Sequence, residues 1–120
     1  MTIDGSKRRL EFFTVRYVPD RLKAEFVNLG IVIFAPTKTV EFCAVHFIEN
    51  WSRVEALDAD ADIPALRSLV GDLTKNLRRR STRVQTLRLI QESFSNTLQL
   101  SEKQTCVTSN YKRDILSKYL

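Results

Sequence analysis

Three segments in the first half of the chain carry the hydrophobic patterns of β-strands. The first is rich in aromatic and β-branched residues, whose side chains alternate between two faces. The second is almost entirely apolar, which is typical of a central strand that is covered on both faces. Short connections separate the segments and favour an antiparallel meander. The predicted strands cover residues 10–18, 26–34 and 40–47.

The hydrophobic period then becomes helical. Apolar residues recur every three or four positions from Ile63 to Leu77, and Asp62 is a suitable N-cap for this long helix. Further apolar stripes predict helices over residues 48–57, 84–98 and from about residue 110 onward, and residues 105–108 have the composition of a short edge strand. We therefore predict an α+β fold, in which a three- to four-stranded antiparallel sheet, starting with a β-meander, carries three to four helices packed on one face.

Two glycines interrupt these patterns. Gly30 lies within the second strand and indicates a β-bulge or a close approach of another backbone. Gly71 lies within the long helix, where glycine costs about 1 kcal/mol relative to alanine. A close packing neighbour is therefore expected at Gly71.

The composition is that of one globular domain. The chain has 120 residues, of which 43% are hydrophobic and 28% are charged. We expect residues 1–9 to form a flexible basic tail and residues 10–120 to form a single α+β domain. No apolar stretch approaches the roughly 20 residues of a membrane span, and the N-terminus lacks the apolar region of a signal peptide. These features predict a cytoplasmic protein without membrane contact, whose cysteines, Cys43 and Cys106, are reduced.

The basic residues are concentrated in the second half of the chain. Residues 1–62 contain 8 Lys/Arg and 10 Asp/Glu, whereas residues 63–120 contain 11 and 4. This asymmetry indicates an anionic partner, either an acidic protein or a nucleic acid, although a solvated helix face has the same composition. The candidate basic patch consists of Arg67, Lys75, Arg78, Arg79, Arg80, Arg83 and Arg88.

Sequence motifs of catalysis or metal binding are not found. His46 is the single histidine, and Cys43, three residues earlier on the same strand, would point to the opposite face. Asp58, Asp60 and Asp62 alternate as in a calcium loop, but the glycine and glutamate that such a loop requires are missing. We therefore expect no catalytic residues, no metal and no cofactor, and an enzyme is less favoured than a binding protein.

A second candidate site is the polar cluster of the first hairpin, because binding residues are often found on loops held by a rigid sheet. Surface ion pairs that fix the turn are the alternative interpretation. Asn28 is expected to hydrogen-bond to the neighbouring loop, since a buried amide needs partners. The cluster consists of Arg16, Asp20, Arg21, Glu25 and Asn28.

Two stretches of the chain resemble a known family. One is residues 13–21 (FTVRYVPDR) running into residues 25–34 (EFVNLGIVIF), and the other is residues 51–54 (WSRV) followed by residues 57–62 (LDADAD). Together they resemble the small bacterial proteins catalogued as domain of unknown function 3037, and the resemblance covers residues 10–119. Members of that family are often encoded beside kinase-like proteins similar to the HipA toxins. The resemblance therefore implies an accessory or antitoxin-like subunit, but no established activity.

Three functions remain open at this point. The leading expectation is a non-catalytic interaction protein that binds a protein partner, such as a HipA-like kinase, in a toxin–antitoxin or defence context. The alternative is a nucleic-acid-binding module that uses the basic helices over residues 67–88. An enzyme built around Arg16, Asp20, Glu25 and Asn28 ranks last, because these residue types do not specify a reaction.

Overall fold

The described part of the protein is an antiparallel sheet with helices packed against it. The structure is a computed structural model that describes residues 7–19, 25–94 and 97–119. Its strands are β1 (Arg8–Tyr17), β2 (Val27–Phe34), β3 (Cys43–Phe47), β4 (Leu98–Leu100) and β5 (Gln104–Thr108). Its helices are α1 (Ser52–Leu57), α2 (Ile63–Arg78), α3 (Arg80–Ser93) and α4 (Ser117–Tyr119), and a π-helical segment (Lys112–Leu116) runs directly into α4.

The sheet has the order β3-β2-β1, and both β4 and β5 lie on the far side of β1. Residues 15–17 of β1 pair with β4, whereas residues 8–12 pair with β5. Every pairing is antiparallel. The α+β class and the meander of the first three strands are therefore confirmed, and β2 is a central strand as its apolar sequence predicts.

The two faces of the sheet are covered by different helices. Phe13 and Val32 belong to a buried cluster with Leu73 and Leu77 of α2 and with residues of α3. On the opposite face, Phe12 and Ile33 pack against Ile115 of the π-helical segment. The prediction placed all the helices on one face. That arrangement holds for α1, α2 and α3, whereas the C-terminal helical segment covers part of the other face.

The structure explains one of the two glycines. β1 and β2 change register between Val15, which faces Gly30, and Arg16, which faces Asn28, so Leu29 is the extra residue of a bulge. A Cβ atom on Gly30 would lie 2.7 Å from the carbonyl oxygen of His46. Both expectations for Gly30, a bulge and a close backbone approach, are thus confirmed.

Gly71 differs from its prediction. It is exposed on α2, and a Cβ atom there would meet no atom within 4 Å. The expectation of a close packing neighbour is therefore wrong, and no atom of the described residues requires glycine at this position.

The ends of the helices follow local chemistry. The predicted N-cap of α2 is confirmed, because the Asp62 carboxylate accepts a hydrogen bond from the Ala65 N–H at 3.1 Å. The prediction of one helix over residues 84–98 is wrong, since α3 ends at Ser93 and Leu98 belongs to β4. Leu98 lies four residues after Phe94 and so continues the helical stripe, but it also begins the strand-like alternation Leu-Gln-Leu.

The first strand begins within the segment that the sequence predicts to be a basic tail. Of the predicted basic tail, residues 1–6 lie outside the described residues, while Arg8 and Arg9 already belong to β1. The Arg8 guanidinium carbon lies 3.8 Å from the centre of the Phe42 ring.

Among the described residues, none of the helices has the length and apolar composition needed to cross a membrane.

Candidate functional site

The polar residues of the first hairpin are only partly brought together. Arg16 and Asn28 are register partners on β1 and β2, so their side chains lie beside each other on the sheet face opposite to α2. Glu25 is exposed just before β2. Asp20 and Arg21, which the sequence places in the same cluster, lie outside the described residues. The described core of this site is therefore the Arg16–Asn28 pair.

The surroundings of this pair suit binding rather than catalysis. The Arg16 guanidinium carbon lies 4.3 Å from the centre of the Phe26 ring, which is 45% exposed. Arg16 Nε, Asn28 Oδ1 and Thr14 Oγ1 are buried and have no hydrogen-bond partner among the described residues. The hydrogen bond expected between Asn28 and the neighbouring loop stays a prediction, because residues 20–24 of that loop lie outside the described residues. A guanidinium, an amide and a hydroxyl can hold a polar group, but none of them is an activated nucleophile.

Cys43 and His46 do not form a nucleophile–base pair. They lie three residues apart on β3, so their side chains point to opposite faces. Burial raises the pKa of the Cys43 thiol to about 11, and the nearby Arg83 charge opposes only part of this shift. Burial also lowers the pKa of His46, and the Arg78 and Lys112 charges lower it further. At neutral pH the Cys43 thiol is therefore protonated, whereas the thiolate is the nucleophilic form.

The acidic linker between α1 and α2 has a structural role. Asp58 accepts hydrogen bonds from the Tyr17 hydroxyl at 2.6 Å and from the Asp60 N–H at 3.0 Å. Burial and the hydrogen bond to Asp58 together raise the pKa of Tyr17 to about 12. Asp62 caps α2. In the part of the chain that the structure describes, no group of three or more His, Cys, Asp or Glu side chains could hold a metal ion.

Most of the predicted basic patch is exposed on α2 and α3. Arg67, Lys75 and Arg78 are spaced by eight and three residues, which places them on one side of α2. None of the exposed members lies within ion-pair distance of a carboxylate of residues 7–19, 25–94 or 97–119. We define the helical basic surface as Arg67, Lys75, Arg78, Arg79, Arg80 and Arg88, all of which are exposed.

Arg83 does not belong to this surface, contrary to the prediction. Its side chain is only 7% exposed. Its guanidinium donates to the carbonyl oxygens of Leu77 and Val40, both at 2.8 Å, and of Arg78 at 3.1 Å. Leu77 and Arg78 end α2, where carbonyl groups lack helical partners and a cation is favourable. Arg83 is therefore an internal cap for α2.

The family is decided by a match that covers nearly all of this architecture. The model of the family described as protein of unknown function (DUF3037) matches residues 12–117, from β1 into α4. The chain belongs to the DUF3037 family. No curated protein and no solved structure matches it. In this DUF3037 chain, the matched region includes both the Arg16–Asn28 pair and the helical basic surface.

Two contacts of the DUF3037 chain were not predicted from its sequence. Phe26 covers Arg16, and it lies two residues before Asn28, so strand alternation could have placed it on the same face. Arg78 donates from Nη2 to the backbone oxygen of Val45 at 3.4 Å. The sequence carries no signal for this second contact, because it depends on how α2 packs against β3.

Proposed function

We propose that this chain is a non-catalytic interaction protein that binds an acidic protein partner through its helical basic surface. The resemblance described above suggests what the partner is: a HipA-like kinase in a bacterial toxin–antitoxin or defence system, for which this chain is the accessory or antitoxin-like subunit. The cytoplasm is the compartment that this proposal implies.

The observation that carries the proposal is that no cation of the helical basic surface forms an ion pair with a described carboxylate. Exposed cations that belong to a solvated structural face are usually interleaved with carboxylates at helical spacing. Here six exposed cations stand against two exposed carboxylates on α2 and α3, Asp72 and Glu92, and neither carboxylate lies within ion-pair distance of these cations. The positive potential of α2 and α3 therefore remains available to an anionic surface, where it would speed association and select the partner.

Nucleic acid is the second candidate, because the same cations could contact phosphate groups. A protein partner is favoured by the apolar residues that accompany the cations. Leu69 on α2 and Leu89 on α3 are 36% and 60% exposed, and the large exposed hydrophobic residues of these two helices include no aromatic ring on which a base could stack.

Co-expression with the products of the adjacent genes tests the proposal. The chain is captured through a tag, and the mass of the eluted complex is measured. A kinase-like product that elutes in a fixed ratio with the chain supports the proposal, whereas separate elution of every neighbour contradicts it. Binding of a duplex DNA with an affinity that falls steeply with salt would instead favour the second candidate.

A surface variant and a control variant locate the contact. The surface variant combines Arg67→Gln, Lys75→Gln and Arg79→Gln, and it leaves Arg78 in place because Arg78 also bonds to β3. The control combines Lys38→Gln, Arg53→Gln and Lys118→Gln, which are exposed elsewhere and remove the same charge. Loss of the complex only in the surface variant is the expected result. Equal loss in both variants would show that net charge, and not this surface, binds the partner.

A further inference from the structure

The two edges of the described sheet are finished differently. β3 forms one edge, and β5 forms the other beside the first half of β1. Along an edge strand, every second residue directs its N–H and C=O groups away from the sheet. Such unpaired groups can bind a further strand, and most proteins protect them.

The β3 edge is protected by an arginine. Ala35 N–H bonds to the Phe42 oxygen, and Ile33 and Ala44 continue the same register, so Val45 directs its backbone groups outward. The Val45 oxygen accepts a hydrogen bond from Arg78 of α2. A strand that approached this edge would have to displace Arg78.

The outward groups of β5 follow from the pairing of β1. Thr14 exchanges hydrogen bonds with Ser101, since its N–H donates to Ser101 Oγ and its oxygen accepts from the Ser101 N–H. Even-numbered residues of β1 therefore direct their backbone groups toward β4 and β5, and Leu10 bonds to its register partner Cys106. Thr105 and Val107, on either side of Cys106, then direct their N–H and C=O groups outward.

The β5 edge lacks the features that close the β3 edge. No hydrogen bond to the described residues engages the outward groups of Thr105 and Val107. The strand, Gln-Thr-Cys-Val-Thr, contains no charged residue and no proline, which are the common protective residues of an edge. The Val107 side chain is 46% exposed. The β5 edge therefore offers a partner strand both backbone groups without a hydrogen bond to the described residues and an exposed apolar side chain, that of Val107.

We propose that the β5 edge binds an extended segment of a protein partner, which adds to the sheet as a further strand. The charges beside the edge define the segment. Arg9 faces Val107 across the pairing, and Lys103 precedes β5. Both form an ion pair with Glu11, at 3.8 and 3.4 Å, but their side chains are 53% and 50% exposed and that of Glu11 is only 14% exposed, so two exposed cations share one shielded carboxylate. An acidic segment with an apolar residue opposite Val107 matches this edge.

A second copy of the chain fits less well. Only Thr105 and Val107 of each copy would bond across the edge, which is far less contact than the roughly 800 Å² per partner of a stable interface. The inference shares with the proposed function only the premise that the partner is a protein, and it concerns a different surface.

A labelled peptide containing Glu-Thr-Val-Thr-Glu is the probe, and one containing Lys-Thr-Val-Thr-Lys is its control, because residues two apart on a strand share a face and the charged side chains then lie on the face of Val107 and Arg9. In the free chain, the Thr105 and Val107 amides should exchange with solvent rapidly, and the Cys106 amide slowly. The glutamate peptide should slow exchange at Thr105 and Val107 by at least about tenfold, the equivalent of one hydrogen bond. Unchanged exchange at both amides overturns the proposal, and equal binding of the lysine peptide overturns its acidic chemistry.

Val107→Pro removes an outward N–H without removing a bond to β1, and edge strands accept proline at such positions. It should weaken binding of the glutamate peptide about tenfold, whereas Val107→Thr, which keeps the N–H, should change it little. Equal binding by both variants, or a dimer that only Val107→Pro dissociates, contradicts the proposal. The surface variant of α2 should bind the peptide normally, so failure of the helical basic surface and failure of this edge are distinguished.

Discussion

Replacing Arg83 by methionine tests how a cation inside the fold stabilises it. Methionine preserves much of the volume of the arginine side chain but removes its charge and its donors. Three carbonyl oxygens then lose their partner, namely those of Val40, Leu77 and Arg78. Val40 has a φ of 47°, which is costly for a β-branched residue. The hydrogen bond from Arg83 helps to hold it in that conformation.

The expected loss of stability is about 3 kcal/mol. Hydrogen bonds to a charged group contribute roughly 1.5–3 kcal/mol each. The sum of these hydrogen-bond contributions is reduced, because burying the Arg83 guanidinium costs desolvation free energy and the methionine variant does not carry this cost. The favourable interaction of the cation with the C-terminus of α2 adds roughly 0.3–1 kcal/mol. For a domain whose total stability is about 5–15 kcal/mol, this loss is large.

Urea unfolding followed by circular dichroism measures the effect. With a slope of about 1.5 kcal/mol per molar, the midpoint should fall by about 2 M. Arg80→Met is the matched control, because Arg80 is exposed in the same helix and its replacement should change stability by less than about 0.5 kcal/mol. If Arg83→Met behaves like Arg80→Met, the internal cap described here is refuted.

Three further substitutions test other features of the fold. Gly71→Ala should raise the free energy of unfolding by about 1 kcal/mol, because the new Cβ meets only open space, and a fall in the thermal midpoint would contradict this. Gly30→Ala should lower the free energy of unfolding by about 2 kcal/mol or more, because the new Cβ would overlap the neighbouring strand. A thermal midpoint equal to that of the unsubstituted chain would exclude the close approach of β3 to Gly30. The Tyr17 pKa is raised from 10.0 to about 12 in the folded state, so this hydroxyl stabilises the fold below pH 10 and the contribution disappears as the pH rises to about 12. Urea titrations across that range should show this decline in the unsubstituted chain and a smaller one in Tyr17→Phe, and parallel declines would argue against the bond to Asp58.

Local patterns predicted the elements whose cause is local. The Asp62 cap depends on a bond to a residue three positions away, and the bulge at Gly30 depends on a single residue without a side chain. Both could therefore be recognised in the sequence. The family resemblance rested partly on residues of the same hairpin, and the match over residues 12–117 confirms the family.

The features that escaped prediction depend on distant parts of the chain. Arg83 resembles its surface neighbours in sequence, and it is internal because the Val40 carbonyl, 43 residues away, turns toward it. The C-terminal helical segment covers the second face of the sheet through Ile115, a contact that its short apolar stripe does not specify. The availability of the β5 edge depends on which strand pairs with β1 and in which register, and this too is non-local.

The salt dependence of partner binding tests the central claim most directly. The association constant of the co-eluting kinase-like protein is measured from low to physiological salt for the unsubstituted chain, the surface variant and the control variant. The surface variant should bind at least about tenfold more weakly at low salt, with a flatter salt dependence, because three cations that face the partner are gone. The control should retain both the affinity and the slope. Identical curves for the surface variant and the control would contradict a function carried by the helical basic surface.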